Sequence, residues 1–244
     1  MGKFSSKDCV FLIDGHDVLG SITEIGLSEE AITEDATAMG DDWEEHSFSG
    51  IRKLEISQDG FYDAASHAIN DALNEHQGQA RILCLGFQGN ATGQAFVGSD
   101  GPLQVNYTRV ASRGTLHRAR ADYHGETTEE GRILHPLRLV EDATGNTEDD
   151  PVEESATTNG ASAYLHVTAL DLDGYDGLSI TILENDGNGW ELLDTFATVE
   201  EADVPHVERL EIEGAIEKDL AIAWDLLGSG TNPTAKFFVG LARH

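Results

Sequence analysis

The sequence predicts a mainly β protein: a β-sandwich or barrel with one flanking α-helix, followed by a second, jelly-roll-like β-sandwich unit. Three observations support this. Short runs of alternating apolar and polar residues recur along the 244-residue chain, separated by turn-forming residues. Glycine is frequent, at 26 residues, as expected of a protein with many tight turns. Only one stretch changes to the three- and four-residue spacing of a helix.

The first elements are short strands. Residues 9–13 form an apolar run that predicts a buried strand, closed by a turn at Asp14-Gly15-His16. Residues 17–25 are loosely patterned and predict a second strand. The chain then enters an acidic segment whose organisation is less conventional.

The segment from Ser28 to Gly50 carries eight carboxylates and no Lys or Arg. Such a run is typical of a solvated loop. However, 31–33 and 43–48 are β-prone, as the two sides of an extended hairpin arm would be, and long insertions in compact domains are usually functional. We interpret it as an assembly arm. The residues expected to act in it are Asp41, Asp42, Trp43, Glu44, Glu45 and Phe48.

A helix is predicted over residues 61–77. Before it, residues 51–57 alternate as a half-buried strand, and Gln58-Asp59-Gly60 predicts a turn. After it, Gly78 stands where a C-terminal cap is expected. The apolar stripe of this helix consists of Ala65, Ala68, Ile69, Ala72 and Leu73.

Strand patterns continue to residue 140. The predicted strands are 80–87, 93–97, 103–110, 114–123 and 133–140, with a turn at 99–102. The densest positive cluster of the chain is Arg109, Arg113, Arg118 and Arg120. These arginines could contact phosphate, but in so acidic a chain we expect them to pair with carboxylates.

Residues 141–160 are polar and predict a linker or exposed loop between two domains, 1–140 and 161–244. Beyond it, about six short strands with no helix predict the second β-sandwich. They fall in residues 163–170, 178–183, 190–196, 207–212, 220–225 and 236–241.

Charge and composition exclude several classes of protein. Asp and Glu number 45 against 15 Lys and Arg, for a net charge of −30, which argues against a general nucleic-acid-binding surface. This charge fits either a surface that repels DNA or a protein working in high salt. Two cysteines provide no disulfide framework. Since no secretory leader or membrane-spanning run is visible, we expect a product of the cytoplasm that binds no membrane.

No catalytic motif, cofactor fingerprint or metal-ligand spacing is present, so we expect no enzyme activity, no cofactor and no metal. Asp171–Asp176 and Glu184–Asn188 could supply oxygen ligands to Ca²⁺, but they lack the EF-hand spacing. Asp, Asn and Gly are also what tight turns require. The turn interpretation is therefore favoured over calcium.

The order of strand, acidic arm, strand, single helix and further strands resembles the tail tube (major tail) proteins of long-tailed bacterial or archaeal viruses. Residues 49–63 with the helix behind them carry the resemblance, together with 164–168, 207–210 and 236–243. It implies a structural virion protein, made in the host cytoplasm and located in the tail. It also implies copies that close into rings and stack into a tube, with a hexameric ring favoured and a trimer of two-domain subunits as the alternative. The expected partners are other tail proteins, and DNA is expected to pass through without specific binding.

A second hypothesis belongs to a different class, a carbohydrate- or calcium-binding β-sandwich module. The Asp-rich turns and the aromatic residues Tyr164, Tyr175, Trp190 and Trp224 favour it. A binding module would stay monomeric, whereas a tube subunit would form rings or filaments.

Overall fold

The computed structural model of the chain describes residues 9–35, 46–65 and 68–244. Across these ranges lie sixteen strands, one α-helix (α1, Ile69–Leu73) and two 3₁₀ turns (Leu19–Ser21 and Glu201–Asp203). The strands are β1 (Val10–Ile13), β2 (His16–Asp17), β3 (Ile22–Asp35), β4 (His46–Phe61), β5 (Ala80–Gly86), β6 (Ala95–Val110), β7 (Arg118–Gly125), β8 (Glu129–Val140), β9 (Thr144–Asn146), β10 (Val152–Glu153), β11 (Ala161–Asp171), β12 (Tyr175–Asn185), β13 (Trp190–Thr195), β14 (His206–Ile212), β15 (Asp219–Gly228) and β16 (Thr234–Arg243). The predicted mainly β class with one helix is confirmed.

Two antiparallel sheets contain these strands. In the larger one the order is β14-β11-β16-β8-β6-β5-β1-β2, and a branch of β7, β4 and β3 joins it at β6. The long strand β6 makes this branch possible, because its first residues pair with β8 and its last eight pair with β7. The smaller sheet has the order β10-β15-β12-β13, with β9 also paired to β15.

The strands stack in four layers separated by three apolar cores. Along β1, Phe11 and Ile13 pack towards β4 and β7, while Val10 and Leu12 pack towards β8, β11 and β16. The core that contains Val10 and Leu12 is the middle one of the three. Along β16, Phe238 also belongs to this middle core, whereas Phe237 belongs to the third core, which lies against the smaller sheet. Successive side chains of a strand point to opposite faces, so the two middle layers are buried on both sides and read as continuous apolar runs.

The helix is shorter than predicted. Strand β4 continues to Phe61, paired with Arg118 of β7, so residues expected to open the helix belong to a strand. The C-terminal carbonyls of α1 are bound by side chains instead of further helix: Arg81 donates to the Ala72 oxygen at 2.7 Å and Gln104 to that of Leu73 at 2.7 Å. The buried stripe of Ile69, Ala72 and Leu73 is as predicted.

Two predicted turns are wrong because the strands run through them. Residues 58–60 belong to β4, where Gly60 is needed for close approach: a Cβ there would lie 2.3 Å from the Ser21 carbonyl oxygen. Residues 99–102 belong to β6, where Ser99 and Asp100 pair with β5. Gly101, at φ +93°, bends this strand without ending it.

The region predicted as a linker, 141–160, contains β9 and β10, and both pair with β15 of the smaller sheet. Strand β16 pairs with β8 over Ala235–Leu241, so hydrogen bonding in the larger sheet continues from the first half of the chain into the second. The two-domain division remains a prediction. The structure adds that the two halves share one sheet.

A polar cluster links β8, β11 and β14 beside the middle core. Arg209 donates to Glu129 at 2.7 Å and to the Ser162 hydroxyl at 2.5 Å, and the buried Tyr164 hydroxyl donates to the same carboxylate. Burial alone would raise the pKa of Glu129, but the hydrogen bonds from Arg209 and Tyr164 outweigh it, and the pKa lies below its usual value. The carboxylate is therefore ionised and holds three strands together.

Two buried histidines stay neutral for identifiable reasons. His135 is stacked on Phe237, accepts from Arg138 at 3.1 Å and lies 3.3 Å from the Phe237 carbonyl oxygen. Burial, helped by the Arg138 charge, lowers the pKa of His135 to about 3. His166 accepts from the Gly15 N–H at 3.1 Å, and burial next to His206 and His16 lowers its pKa to about 3 as well.

We predict that stability falls as the pH drops below about 6.5, the ordinary histidine value. Between about pH 6.5 and pH 3, His135 and His166 are protonated in the unfolded chain but stay neutral in the folded one. Each histidine therefore lowers the free energy of unfolding by about 2 kcal/mol at pH 5. Urea unfolding from pH 8 to 5 measures this. His135→Gln keeps a hydrogen-bond donor and an acceptor but does not titrate. The free energy of unfolding of this variant, relative to its own value at pH 8, should fall less steeply with pH, by the equivalent of about one proton. An unchanged slope would contradict the assignment.

Candidate assembly surfaces

The acidic segment predicted as an arm begins and ends as a two-stranded ribbon. Strands β3 and β4 pair from Ile22↔Gly60 to Asp35↔His46. Strand β7 accompanies β4 only from Phe61 to Leu54, so beyond Leu54 the pair continues without a third strand. Thr33 and Phe48, one from each of the patches 31–33 and 43–48 predicted as the sides of a hairpin, are cross-strand partners in this pairing.

The residues expected to act in the arm are distributed unevenly over this ribbon. Asp41, Asp42, Trp43, Glu44 and Glu45 lie outside the described residues, within 36–45. The backbone of Phe48 lies in β4, opposite Thr33. Their role as an assembly arm therefore stays a prediction.

The base of the ribbon is fixed by polar contacts. Thr128, just after β7, donates its hydroxyl to Glu29 of β3, and Lys53 pairs with Glu55 along β4. That ion pair raises the pKa of Lys53 and lowers the pKa of Glu55 through their hydrogen bond and mutual charge. Both side chains are substantially exposed, so the pair adds little stability and mainly fixes the local charge pattern.

The four strands β3, β4, β7 and β6 present one face to their core and the other to solvent. On the core side lie Ile56, Ala119, Ala121 and Tyr123, all buried. We name the opposite side the outer face. Its charged members, assigned from the cross-strand register, are Glu24, Glu30, Lys53, Glu55, Asp59, Arg118, Arg120 and Asp122. The five carboxylates exceed the three cations, so the outer face is net negative.

Arg118 holds the outer face together at its far end. It donates to Asp59 at 2.8 Å and to the Thr23 hydroxyl at 2.8 Å, and its guanidinium carbon lies 5.9 Å from the centre of the Phe61 ring. These contacts join β7 to both β4 and β3. The sequence missed the place of Asp59 on this face because a turn was predicted at 58–60, although the alternation of Ile56, Gln58 and Gly60 with Ser57 and Asp59 continued. Glu24 lies in the predicted strand 17–25, whose loose pattern did not show which face it occupies.

The arginine cluster behaves only partly as predicted. Arg118 pairs with a carboxylate, as expected. Arg109 lies over the Tyr107 ring, 5.6 Å from its centre. Across the described ranges, Arg109, Arg113 and Arg120 make no ion pair, and all three are exposed. The far end of the β6–β7 hairpin is therefore a local positive surface on an acidic protein.

Two of the four aromatic residues and one of the Asp-rich turns that favoured a carbohydrate- or calcium-binding module have structural uses, whereas Tyr175 and Trp190 are partly exposed. Tyr164 is fully buried and Trp224 is 7% exposed, packed against His135 and Phe237, so neither offers a ring face to a sugar. In the turn after β12, Asp186 accepts from the Asn188 N–H at 2.8 Å, as turn geometry requires.

Two further searches bear on the kind of site present. Within residues 9–35, 46–65 and 68–244, no group of three or more His, Cys, Asp or Glu side chains is arranged to hold a metal ion. In the same ranges, α1 and the short helical turns fall well below the length and apolarity needed to cross a bilayer.

Comparison with protein-family models gives no match, and comparison with curated proteins gives none. Among solved structures the chain is similar to a component of the native gene transfer agent virion (13% identity, TM-score 0.41, covering 52% of this chain and 98% of that one). It is also similar to a chain in the tail of the empty gene transfer agent particle, refined with C6 symmetry (14% identity, TM-score 0.40, covering 52% of this chain and 97% of that one). A third similar structure is the SPP1 Dit protein, described as a paradigm of the hub adsorption apparatus in phages infecting Gram-positive hosts (12% identity, TM-score 0.33, covering 96% of this chain and 98% of that one). Similarity of this extent assigns neither a family nor a function.

We predict that residues 36–45 are dispensable for folding. Asp35 and His46 face each other across the ribbon, so a two-residue Asn-Gly turn can replace the ten residues between them. Because the replacement keeps every described cross-strand pair from Ile22↔Gly60 to Asp35↔His46, the melting temperature should change by less than about 4 °C, equivalent to about 1 kcal/mol. Calorimetry beside the unmodified protein measures this. Loss of cooperative unfolding would show that the segment belongs to the fold.

Proposed function

We propose that this chain is a structural subunit of a viral tail tube, in which copies close into rings, the rings stack, and DNA passes through the bore. One observation carries the proposal: a four-stranded sheet with a solvent-facing, net negative outer face continues at one end into a ribbon that leaves its own sheet. The face suits the wall of a bore, and the ribbon suits a contact with a neighbouring copy. The sequence resemblance to tail tube proteins supports the same function.

Strand geometry discriminates between ring sizes. Strands lie about 4.8 Å apart, and side chains on a closed sheet take about 5 Å from each side of the bore. Six copies supplying four strands each would give a bore of about 27–38 Å, depending on strand tilt between zero and about 40°. Three copies would give about 8–14 Å, less than the ~20 Å that a duplex needs. A hexamer is therefore favoured, and a trimer would require the smaller sheet in the wall as well.

The charge of the outer face suits a channel for DNA. Lys and Arg bound to phosphate gain affinity by releasing counterions, which would trap a passing duplex. A wall with more carboxylates than cations repels the duplex from every side and leaves no local binding site. The outer face has this composition: Lys53 and Arg118 are paired with Glu55 and Asp59, and of its three described cations Arg120 alone makes no ion pair.

Assembly should require the acidic segment. We predict that replacing residues 36–45 by Asn-Gly yields a folded monomer that forms neither rings nor tubes, because the replacement removes Trp43, whose burial by a neighbouring subunit would contribute about 1.5–3 kcal/mol. Negative-stain microscopy of the variant beside the unmodified protein tests this. Tubes of normal length from the variant would remove the arm from the assembly.

Assembly should also depend on salt. Subunits of charge −30 repel one another at low ionic strength, and the Debye length falls from about 10 Å at 0.1 M to about 3 Å at 1 M. We predict that light scattering increases across this range, and that the increase reverses on dilution of the salt. Scattering that is independent of salt would indicate that net charge does not control association.

The lumen should be predominantly negative. We predict that Glu24→Lys with Glu30→Lys, two exposed positions on β3, slows release of duplex DNA from assembled tubes at least tenfold. Glu191→Lys with Glu213→Lys, exposed positions in the second half of the chain, is the matched control and should release DNA normally. Equal release from both variants, or an assembled bore lined by unpaired arginines, would place the outer face elsewhere.

A further inference from the structure

An apolar cleft lies at the end of the outer face farthest from the ribbon. It has a volume of about 320 Å³ and includes Phe61, Val110 and Leu116, which are 39%, 49% and 70% exposed. Phe61 ends β4, Val110 ends β6, and Leu116 lies in the loop between β6 and β7. Arg118 also lines the cleft, and Arg113 lies in the same loop as Leu116. We name these five residues the end patch. Three large apolar side chains exposed together, rimmed by positive charge, are a typical arrangement for a binding surface.

The end patch and the acidic segment are complementary in charge. Residues 109–121 contain four arginines and no Asp or Glu, whereas residues 28–50 contain eight carboxylates and no Lys or Arg. In the segment, Trp43 has two carboxylates on each side. An aromatic residue flanked by carboxylates matches an apolar cleft rimmed by arginines, both in the group to be buried and in the charges around it.

The two surfaces of one chain cannot meet. Strand β4 joins them, running from His46 at the ribbon end to Phe61 at the end patch, and sixteen extended residues span about 50 Å. The ten residues 36–45 reach at most about 36 Å fully extended, and about half of that when they must return to β3. The acidic segment of one copy can therefore occupy only the end patch of another copy.

We propose that the end patch is the docking site for residues 36–45 of a second copy of this chain, with Trp43 in the cleft and the flanking carboxylates on Arg113 and on Nη1 of Arg118, whose Nε and Nη2 already contact Asp59 and Thr23. The contact is head-to-tail along the strand axis, so it repeats without closing and sets the direction in which copies stack. This inference rests on the proposed function, because it identifies the surface through which one ring holds the next.

The test separates docking from tube formation. The first measurement is binding of a labelled peptide of residues 34–47 to the full-length protein, held dilute enough to be monomeric, at fixed salt. Arg113→Glu with Leu116→Ser, both exposed loop positions, should weaken binding at least tenfold. Leu192→Ser, at a 63%-exposed leucine on β13, is the control and should leave binding unchanged. A peptide carrying Asp42→Lys and Glu44→Lys should lose affinity for the unmodified protein and regain part of it on Arg113→Glu.

The second measurement is sedimentation of tubes from the same variants. Loss of tubes with Arg113→Glu/Leu116→Ser but not with Leu192→Ser supports the docking site. Normal tubes and normal peptide binding from the double variant would overturn it and leave the proposed function standing. Specific peptide binding by a protein that never forms tubes would support docking and remove the tube. Absence of peptide binding to the unmodified protein would also overturn the inference.

Discussion

Burial of the middle layers on both faces is the constraint on which the rest of the molecule depends. Neighbouring residues of one strand enter different cores: Phe237 packs against the smaller sheet, and Phe238 packs against β1 and β5. A shift of register by one residue would exchange the two cores, so the pairing of these strands is strongly specified. With the middle layers fixed in this way, the outermost strands are left with one solvated face each, and those faces are available for assembly.

Polar groups enter the buried layers only with partners that serve the architecture. Arg81 is 2% exposed; it pairs with Asp14, donates to Gln104 at 2.6 Å and binds the Ala72 carbonyl oxygen. One buried cation thus joins β5, β6, the turn after β1 and the end of α1. An unpaired charge at that depth would be strongly destabilising, so the short helix and the sheet hold each other in place.

Local pattern predicted the strands, because alternation and apolar runs report burial directly. It failed where the deciding contact is distant in sequence. Gly60 has the composition of a turn, yet its lack of a side chain serves the approach of Ser21, nearly forty residues away. The helix ended early because Arg81 and Gln104 bind its carbonyls. Likewise, the sequence pattern identified the acidic arm and the arginine cluster separately. It could not identify the outer face and the end patch, because these surfaces are formed by the cross-strand register of β3, β4, β6 and β7.

The acid excess of the chain has two opposing effects on assembly, and their ranges differ. Repulsion between subunits of charge −30 acts over a Debye length, whereas an arginine–carboxylate contact acts over a few ångströms and becomes stronger once water is excluded. Salt that suppresses the first effect weakens the second less, especially beside an apolar cleft. The net charge therefore limits how often two copies meet, and the local charges determine the orientation in which they bind. Under the proposed docking, this arrangement selects one mode of contact between copies, and the net negative outer face repels a DNA duplex.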